Sequence, residues 1–587
     1  MSSLDDIAPS APPAPSRRRR RTAVVAAGAV GVVAVAGAGV WAWQGWFAQG
    51  PQAAEALPAD TLAYVGVDLD PPGGQKLAAY DTLRRFPSLK KHLGLSSQDD
   101  LRRSLVEGVT SDSGCDLSYD DLDDWAGDRA ALAVVPQEQP EPVLVVQAGD
   151  AAAARAGLEK AIAGCGDDAG FATGDGWAVV ARNEAVARQV LADSRKARLA
   201  DDRSYRELTG AAGDPGVVTI YASPEAGQVL LDTIEENPFF ALFAFGTLTE
   251  IDPVGPLLSA VAATELDAWV ASLEASGDDP VGEMPIPPGD VSFDDEGDDE
   301  GDDLPDDESF DETFDETFAD LIPPELRKEL ADFGGLGGVA RFEDGALEVE
   351  LVAEPALPGA THRYDGTDAL AAVTELPADV AIAFGGGFAD GWAEDTVADY
   401  SPLGLWFGDG EKDPAAAFEK ATGLSAADLA ALGGERLAFA ARADFTARAE
   451  SGKPGDVPVA ARVTGDAEAI EQALTTLRKT LGPEVASYLS SQRVDGGVLI
   501  GPSTAFLDEL AKPGATLADD ETFGRVVRDA EDAVTIAYAD FDAGDWLADS
   551  TLTDLSEADV APLDAAGLVV TDDGDRQRMV LRVSFDE

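Results

Sequence analysis

From residue 57 onward, apolar and polar positions alternate in short runs. Ala63, Val65, Val67 and Leu69 share one face of a two-residue repeat, which predicts a strand with one buried side. Two further apolar runs, 131–135 and 143–146, are separated by a short polar stretch containing proline, the pattern of an antiparallel hairpin. Elsewhere the period lengthens. Ile470, Leu474, Leu477 and Leu481 recur at helical spacing behind Asp466, a residue suited to cap a helix, and Asp150 stands likewise before Leu158 and Ile162. Hairpins mixed with single helical crossovers predict an α+β fold of mainly antiparallel sheets packed with helices, rather than a doubly wound parallel sheet.

The pattern repeats along the chain. Leu57-Pro58-Ala59-Asp60 opens one apolar strand and Leu376-Pro377-Ala378-Asp379 opens another. Trp125-Ala126-Gly127-Asp128-Arg129 resembles Leu432-Gly433-Gly434-Glu435-Arg436, each running into a strand. Gly149-Asp150 answers to Gly465-Asp466, and Asp175-Gly176 to Asp495-Gly496. Leu199-Ala200-Asp201-Asp202 with Tyr205 answers to Leu517-Ala518-Asp519-Asp520 with Phe523. Matches in one order predict a duplicated ectodomain, with units at 51–355 and 360–587. Each unit closes on two apolar runs flanking an Asp-Gly turn, Asp344-Gly345 in the first and Asp573-Gly574 in the second.

The segment before residue 50 has a different character. Five arginines, Arg17 to Arg21, end a tail at 1–21 and precede an uncharged apolar run from Thr22 to Trp43. At ~1.5 Å per residue, a helix over 22–46 spans the roughly 30 Å hydrocarbon core of a bilayer. Trp41, Trp43, Trp46 and Phe47 gather at its far end, where amphipathic rings favour the headgroup layer. Basic residues remain on the cytoplasmic side, so the tail is predicted inside and everything beyond Phe47 outside, a single-pass protein of the cell membrane. The competing reading is a signal peptide cleaved around Ala54 to Ala56. An apolar run beyond the usual ~7–15 residues and the aromatic belt favour a retained anchor.

Charge changes the picture again. The chain holds 110 acidic and 42 basic residues, a net charge of −68, and such a surface repels phosphate backbones, which excludes nucleic-acid partners. Residues 1–21 are themselves net positive, so the acidity belongs to the predicted outer part. Two segments interrupt the first unit. One is apolar, 238–273, with Phe239, Phe240, Phe243 and Phe245. It reads as a helical hairpin filling the core or as an apolar surface for a lipid-like ligand. The other, 277–317, carries 19 carboxylates between Asp278 and Glu316 with no Lys or Arg, a composition that predicts disorder. It lacks the register of a calcium-binding loop.

Little in the chain points to catalysis. Two His and two Cys exclude multi-ligand zinc sites and iron–sulfur clusters. His92 and His362 have no partner at metal-ligand or triad spacing. Cys115 and Cys165 both fall on the predicted outer side and read as a structural disulfide, with a pair of free thiols as the alternative. Ser503 follows Gly501-Pro502, a partial nucleophile-elbow pattern, and reads better as a helix N-cap; Gly385-Gly386-Gly387 reads as a loop. No catalytic residue, metal ligand or cofactor site is predicted, and no cofactor.

The arginine-run anchor, Leu57 to Val65 with Asp68 to Asp70, Gly73-Gly74-Gln75-Lys76, Trp125 to Arg129 and the paired cysteines resemble an actinobacterial membrane-protein family catalogued as domain of unknown function 3352. That resemblance implies a membrane-anchored, extracytoplasmic protein and carries no catalytic residues. The resulting expectation is a binding or interaction module of the cell envelope, with the membrane and an envelope protein or lipid-like ligand as partners. A carboxylate-based extracytoplasmic hydrolase and a structural envelope protein are the alternatives.

Overall fold

Apolar runs fold back on one another wherever a turn residue permits it, and the result is a single very wide sheet. The computed structural model describes residues 52–68, 125–165, 169–236, 324–357, 364–398, 413–449, 453–547 and 557–586, apart from isolated positions within them, together with Ala78, Thr82, Arg85 and Phe86. The first eight strands are β1 (Ala63–Asp68), β2 (Ala126–Val135), β3 (Glu141–Ala148), β4 (Gly170–Gly174), β5 (Trp177–Ala181), β6 (Val218–Ala222), β7 (Gly335–Glu343) and β8 (Ala346–Glu354). They hydrogen-bond in the order β4-β5-β3-β2-β1-β6-β7-β8. A short strand, β9 (Tyr364–Gly366), adds to the end of β10 (Ile382–Phe388). Beyond it come β11 (Arg436–Ala441), β12 (Val459–Thr464), β13 (Ser490–Val494), β14 (Gly497–Gly501), β15 (Ala533–Asp540), β16 (Leu563–Asp572) and β17 (Gln577–Phe585). With β10 these bond in the order β13-β14-β12-β11-β10-β15-β16-β17.

The two series therefore have the same pairing order, and they meet where β8 pairs with β17. Every one of these pairings is antiparallel. At ~4.8 Å per strand, sixteen adjacent strands extend about 70 Å along the hydrogen-bonding direction.

Helices cover both faces. In the first half α1 (Ala151–Cys165) connects β3 to β4, and α2 (Glu184–Ser194) and α3 (Arg203–Ala211) connect β5 to β6. In the second half α4 (Ala467–Ala486), α5 (Thr504–Leu510) and α6 (Glu521–Val526) hold the same places. The expected caps are present. Asp150 accepts from the amides of Ala152 and Ala153, and Asp466 from that of Glu468. Asp202 and Asp520 cap α3 and α6 by accepting from the amides of Tyr205 and Phe523. Ser503 stands at the N-cap of α5, but its side chain makes no capping hydrogen bond. The Asp344-Gly345 turn joins β7 to β8 with both residues at positive φ, 51° and 81°, which suits the twist of a two-residue hairpin.

The repeated motifs turn out to bind one another. Pro58 bridges to Arg198 and Pro377 to Thr516, and the amides of Leu199 and Leu517 donate to the carbonyls of Leu57 and Leu376, each at 3.0 Å. All four leucines are buried, so each half pins its opening segment to its later Leu-Ala-Asp-Asp turn.

Two expectations are corrected. Residue β1 positions on both sides are buried, Tyr64 against α3 and Val65 and Val67 on the opposite side, because helical and chain segments cover both faces of the sheet. Gly385 to Gly387 form the middle of β10 rather than a loop. Glycine is needed there because neighbours crowd the strand: a Cβ on Gly385 would lie 2.5 Å from Val373, and one on Gly386 2.7 Å from Tyr364.

Among the described residues no helix is long and apolar enough to cross a membrane. The predicted anchor with Arg17, Arg21, Trp41, Trp43 and Trp46 lies outside them. So do His92, Cys115, Phe239, Phe240, Phe243, Phe245, the acidic segment 277–317 and His362. Cys165 ends α1, and only its backbone is described.

Candidate functional site

Three features among the described residues gather polar chemistry, and each is built by strand ends or by the junction of the two halves. The first is a carboxylate cluster. Antiparallel pairing brings the end of β15, the start of β16 and the end of β17 together, and Asp542, Asp564 and Asp586 converge there with one oxygen each, all within 4.8 Å of one another. The backbone frames the group: the Phe541 amide donates to the Asp564 carbonyl and the Asp586 amide to the Pro562 carbonyl. Burial, followed by repulsion from Asp586 and Asp564, raises the Asp542 carboxyl above its ordinary value. Asp564 is already compensated, since Arg525 pairs with it and the Ser584 hydroxyl donates to it at 2.7 Å. The cluster thus has a ready structural role, tying α6 to the strand ends.

The second feature is a pair of shallow depressions. One, of about 300 Å³, is lined by Gly127, Gly149, Asp175 and Gly176 of the repeated motifs, with Gln147 and Trp177 beside them. The other, of about 190 Å³, lies between the halves, against Pro355, Ala356, Tyr364, Asp365, Asp572 and Gly574. Neither includes any of the three converging aspartates. In the first, the Ala148 amide donates to the Gly176 carbonyl at 2.8 Å; in the second half a similar bond runs from the Gly465 amide to the Gly496 carbonyl, with the donor shifted by one position relative to the Gly-Asp motif.

The third feature is the seam between β8 and β17. On the face that carries α3, Arg341 of β7 stands opposite Glu348 of β8, which stands opposite Arg582 of β17. Glu348 pairs with both arginines. Arg341 also donates to Glu350 at 2.6 Å and to the Ala212 carbonyl, at the end of α3, at 2.9 Å. Arg578 lies 2.7 Å from the other Glu350 oxygen, as an ion pair without hydrogen-bond alignment. The Glu350 side chain is 0% exposed, whereas that of Arg578 is 53% exposed. Burial works against the Arg341 charge, but the hydrogen bond to Glu350 and the field of Glu348 outweigh it and hold its pKa above the ordinary value. On the opposite face the seam is apolar, with Leu347 and Val349 packed with Leu581 and Phe585, and Phe86 edge-on to Phe585.

None of these groupings was singled out from the sequence. The signal for the seam was present, as Glu348 and Glu350 alternate with apolar residues while Arg578 and Arg582 do the same with opposite sign. Such alternation ordinarily marks a solvated strand face. No family model matches the chain, nor does any curated protein or solved structure.

Proposed function

We propose that this chain is a signal-anchored, extracytoplasmic protein of the cell membrane that acts by binding, as an interaction module of the envelope, with its sheet held close to the bilayer. The observation that carries the reading is the placement of residues 53–56. Ala53–Glu55 forms a helical turn with Ala53, Ala54 and Ala56 in the core of the first half, beginning only six positions after Phe47. In the second half the helix Ala369–Thr374 precedes Leu376 in the same way, with Ala369 and Val373 fully buried. The turn is thus a regular part of each unit, and cleavage around Ala54 to Ala56 would remove core residues. This supports a retained anchor over a cleaved signal peptide. At no more than ~3.6 Å per residue, the short link leaves little room between bilayer and sheet. The matching strand orders support descent of both halves from one eight-stranded unit, and the resemblance to the anchored actinobacterial family belongs to the same proposal.

The test uses the full chain in intact cells. The protein is expected to stay with membranes through an alkaline wash, and protease added outside is expected to degrade the sheet. A photoreactive residue in place of Phe243 is expected to give a discrete adduct with an envelope protein or lipid. Soluble release with a new N-terminus near residue 54, or protection from external protease, would overturn the topology. Failure of every adduct would overturn the binding role.

A further inference from the structure

Four arginines of the second half reach carboxylates of the first: Arg582 to Glu348, Arg578 to Glu350, Arg576 to Glu354 and Arg528 to Asp344. All four run in one direction, positive from the second half and negative from the first. The pattern gains meaning from the correspondence of the halves. Gly337 faces Leu208 of α3 and stands opposite Tyr221, while Gly567 faces Val526 of α6 and stands opposite Tyr538. These glycines therefore hold the same place.

Gly337 pairs onward with Val352, and Gly567 with Arg582, so Val352 corresponds to Arg582. By the same register Glu350 corresponds to Val580, and Glu348 to Arg578. Glu350 and Val580 also stand directly opposite each other across the seam, which places the pseudo-twofold axis at this pair. Two β8 edges meeting in this register would set Glu350 against Glu350, desolvated and with Arg341 of their own half as sole cation, without the second-half arginines. Two β17 edges would set Arg578 against Arg582.

Backbone hydrogen bonding alone does not distinguish these pairings from the native one. Charge does, because a buried carboxylate is tolerated only with its partners in place. We propose that the seam is a charge-coded recognition interface: the acidic β8 edge accepts a β17 edge and rejects a second β8, and the basic β17 edge rejects a second β17. The partner it fits is the chain's own β17, and ion pairs on the buried carboxylates Glu348 and Glu350 serve here as selectors of pairing.

The experiment follows native-state hydrogen exchange and mass in solution on the full chain. Arg578→Glu, at a half-exposed position, is expected to raise exchange of the β8 and β17 amides about tenfold while β1 and β10 stay protected, as a local opening requires. Arg578→Met, which keeps the stem and removes the charge, is expected to have a clearly smaller effect. Arg576→Glu is expected to loosen the seam, and adding Glu354→Arg to restore it. Unchanged exchange in Arg578→Glu, equal disruption by the Met and Glu variants, or failure of the Arg576/Glu354 exchange to restore protection would each overturn the proposal. Should Arg578→Glu not fold, the Arg576/Glu354 pair at the rim decides the question alone.

Discussion

Gly567 shows how much of this fold depends on single positions. A Cβ there would sit 2.5 Å from the Val526 carbonyl oxygen, and one on Gly337 would sit 2.2 Å from the Leu208 backbone, so in both halves a helix rests directly on strand backbone. Gly524 is the opposite case, a helical position in α6 with nothing within 4 Å of its would-be Cβ. Gly567→Ala should therefore destabilise the protein by about 1–3 kcal/mol through overpacking. Gly524→Ala should stabilise it by about 0.5–1 kcal/mol by restricting the unfolded chain and favouring the helix. Urea unfolding of the two variants reads both signs, and equal effects would contradict the packing described.

At the scale of elements, α3 is latched to the sheet by a tyrosine cluster. Tyr205 meets Tyr64 and Tyr221 edge-on, with ring centroids 5.7 and 5.2 Å apart, and is hydrogen-bonded to Tyr64. Burial pushes the Tyr205 and Tyr221 hydroxyls up to about 12. A folded-state pKa above the unfolded one means that the native chain holds protons that the unfolded chain releases. The stabilisation is complete below about pH 10 and is lost as pH rises through about 12. Tyrosinate absorbance and near-ultraviolet circular dichroism should change together across that window. Titration completed near pH 10 with structure intact would refute the latch.

Much at this scale was legible in the sequence, because hairpins, caps and Asp-Gly turns are local: Asp466 and its helix, or Asp344-Gly345 and its strands, are neighbours along the chain. The repeated Leu-Pro-Ala-Asp and Leu-Ala-Asp-Asp motifs were visible, but not that they bridge to each other, since nothing local connects Pro58 to Arg198. The Gly385 to Gly387 run was misread because its cause is a ring and a helix that arrive from elsewhere. The seam charges were not legible as a group for the same reason, their partners being supplied by the other half.

Over the whole molecule, a net charge of −68 sets a self-repulsion that favourable burial must exceed. Screening should relieve it, as the Debye length falls from about 30 Å at 0.01 M salt to about 3 Å at 1 M. The Tm of the full chain is expected to rise with sodium chloride over that range, followed by differential scanning fluorimetry. A falling Tm would mean that attractive pairs such as those of the seam outweigh the repulsion.

The pairing of β8 with β17 also imposes a schedule on synthesis. Glu354, at the end of β8, and Arg576, just before β17, are 222 positions apart. At roughly 5–20 residues per second, the β8 edge waits about 10–45 s for its partner to be made. A finished half with an open edge is a template for pairing with any other nascent chain, and two growing copies would present identical edges. Glu348, Glu350 and Glu354 line that edge throughout the wait. The carboxylates that later hold the halves together would thus first act as a guard on an unfinished protein, keeping its edge soluble until the matching strand arrives.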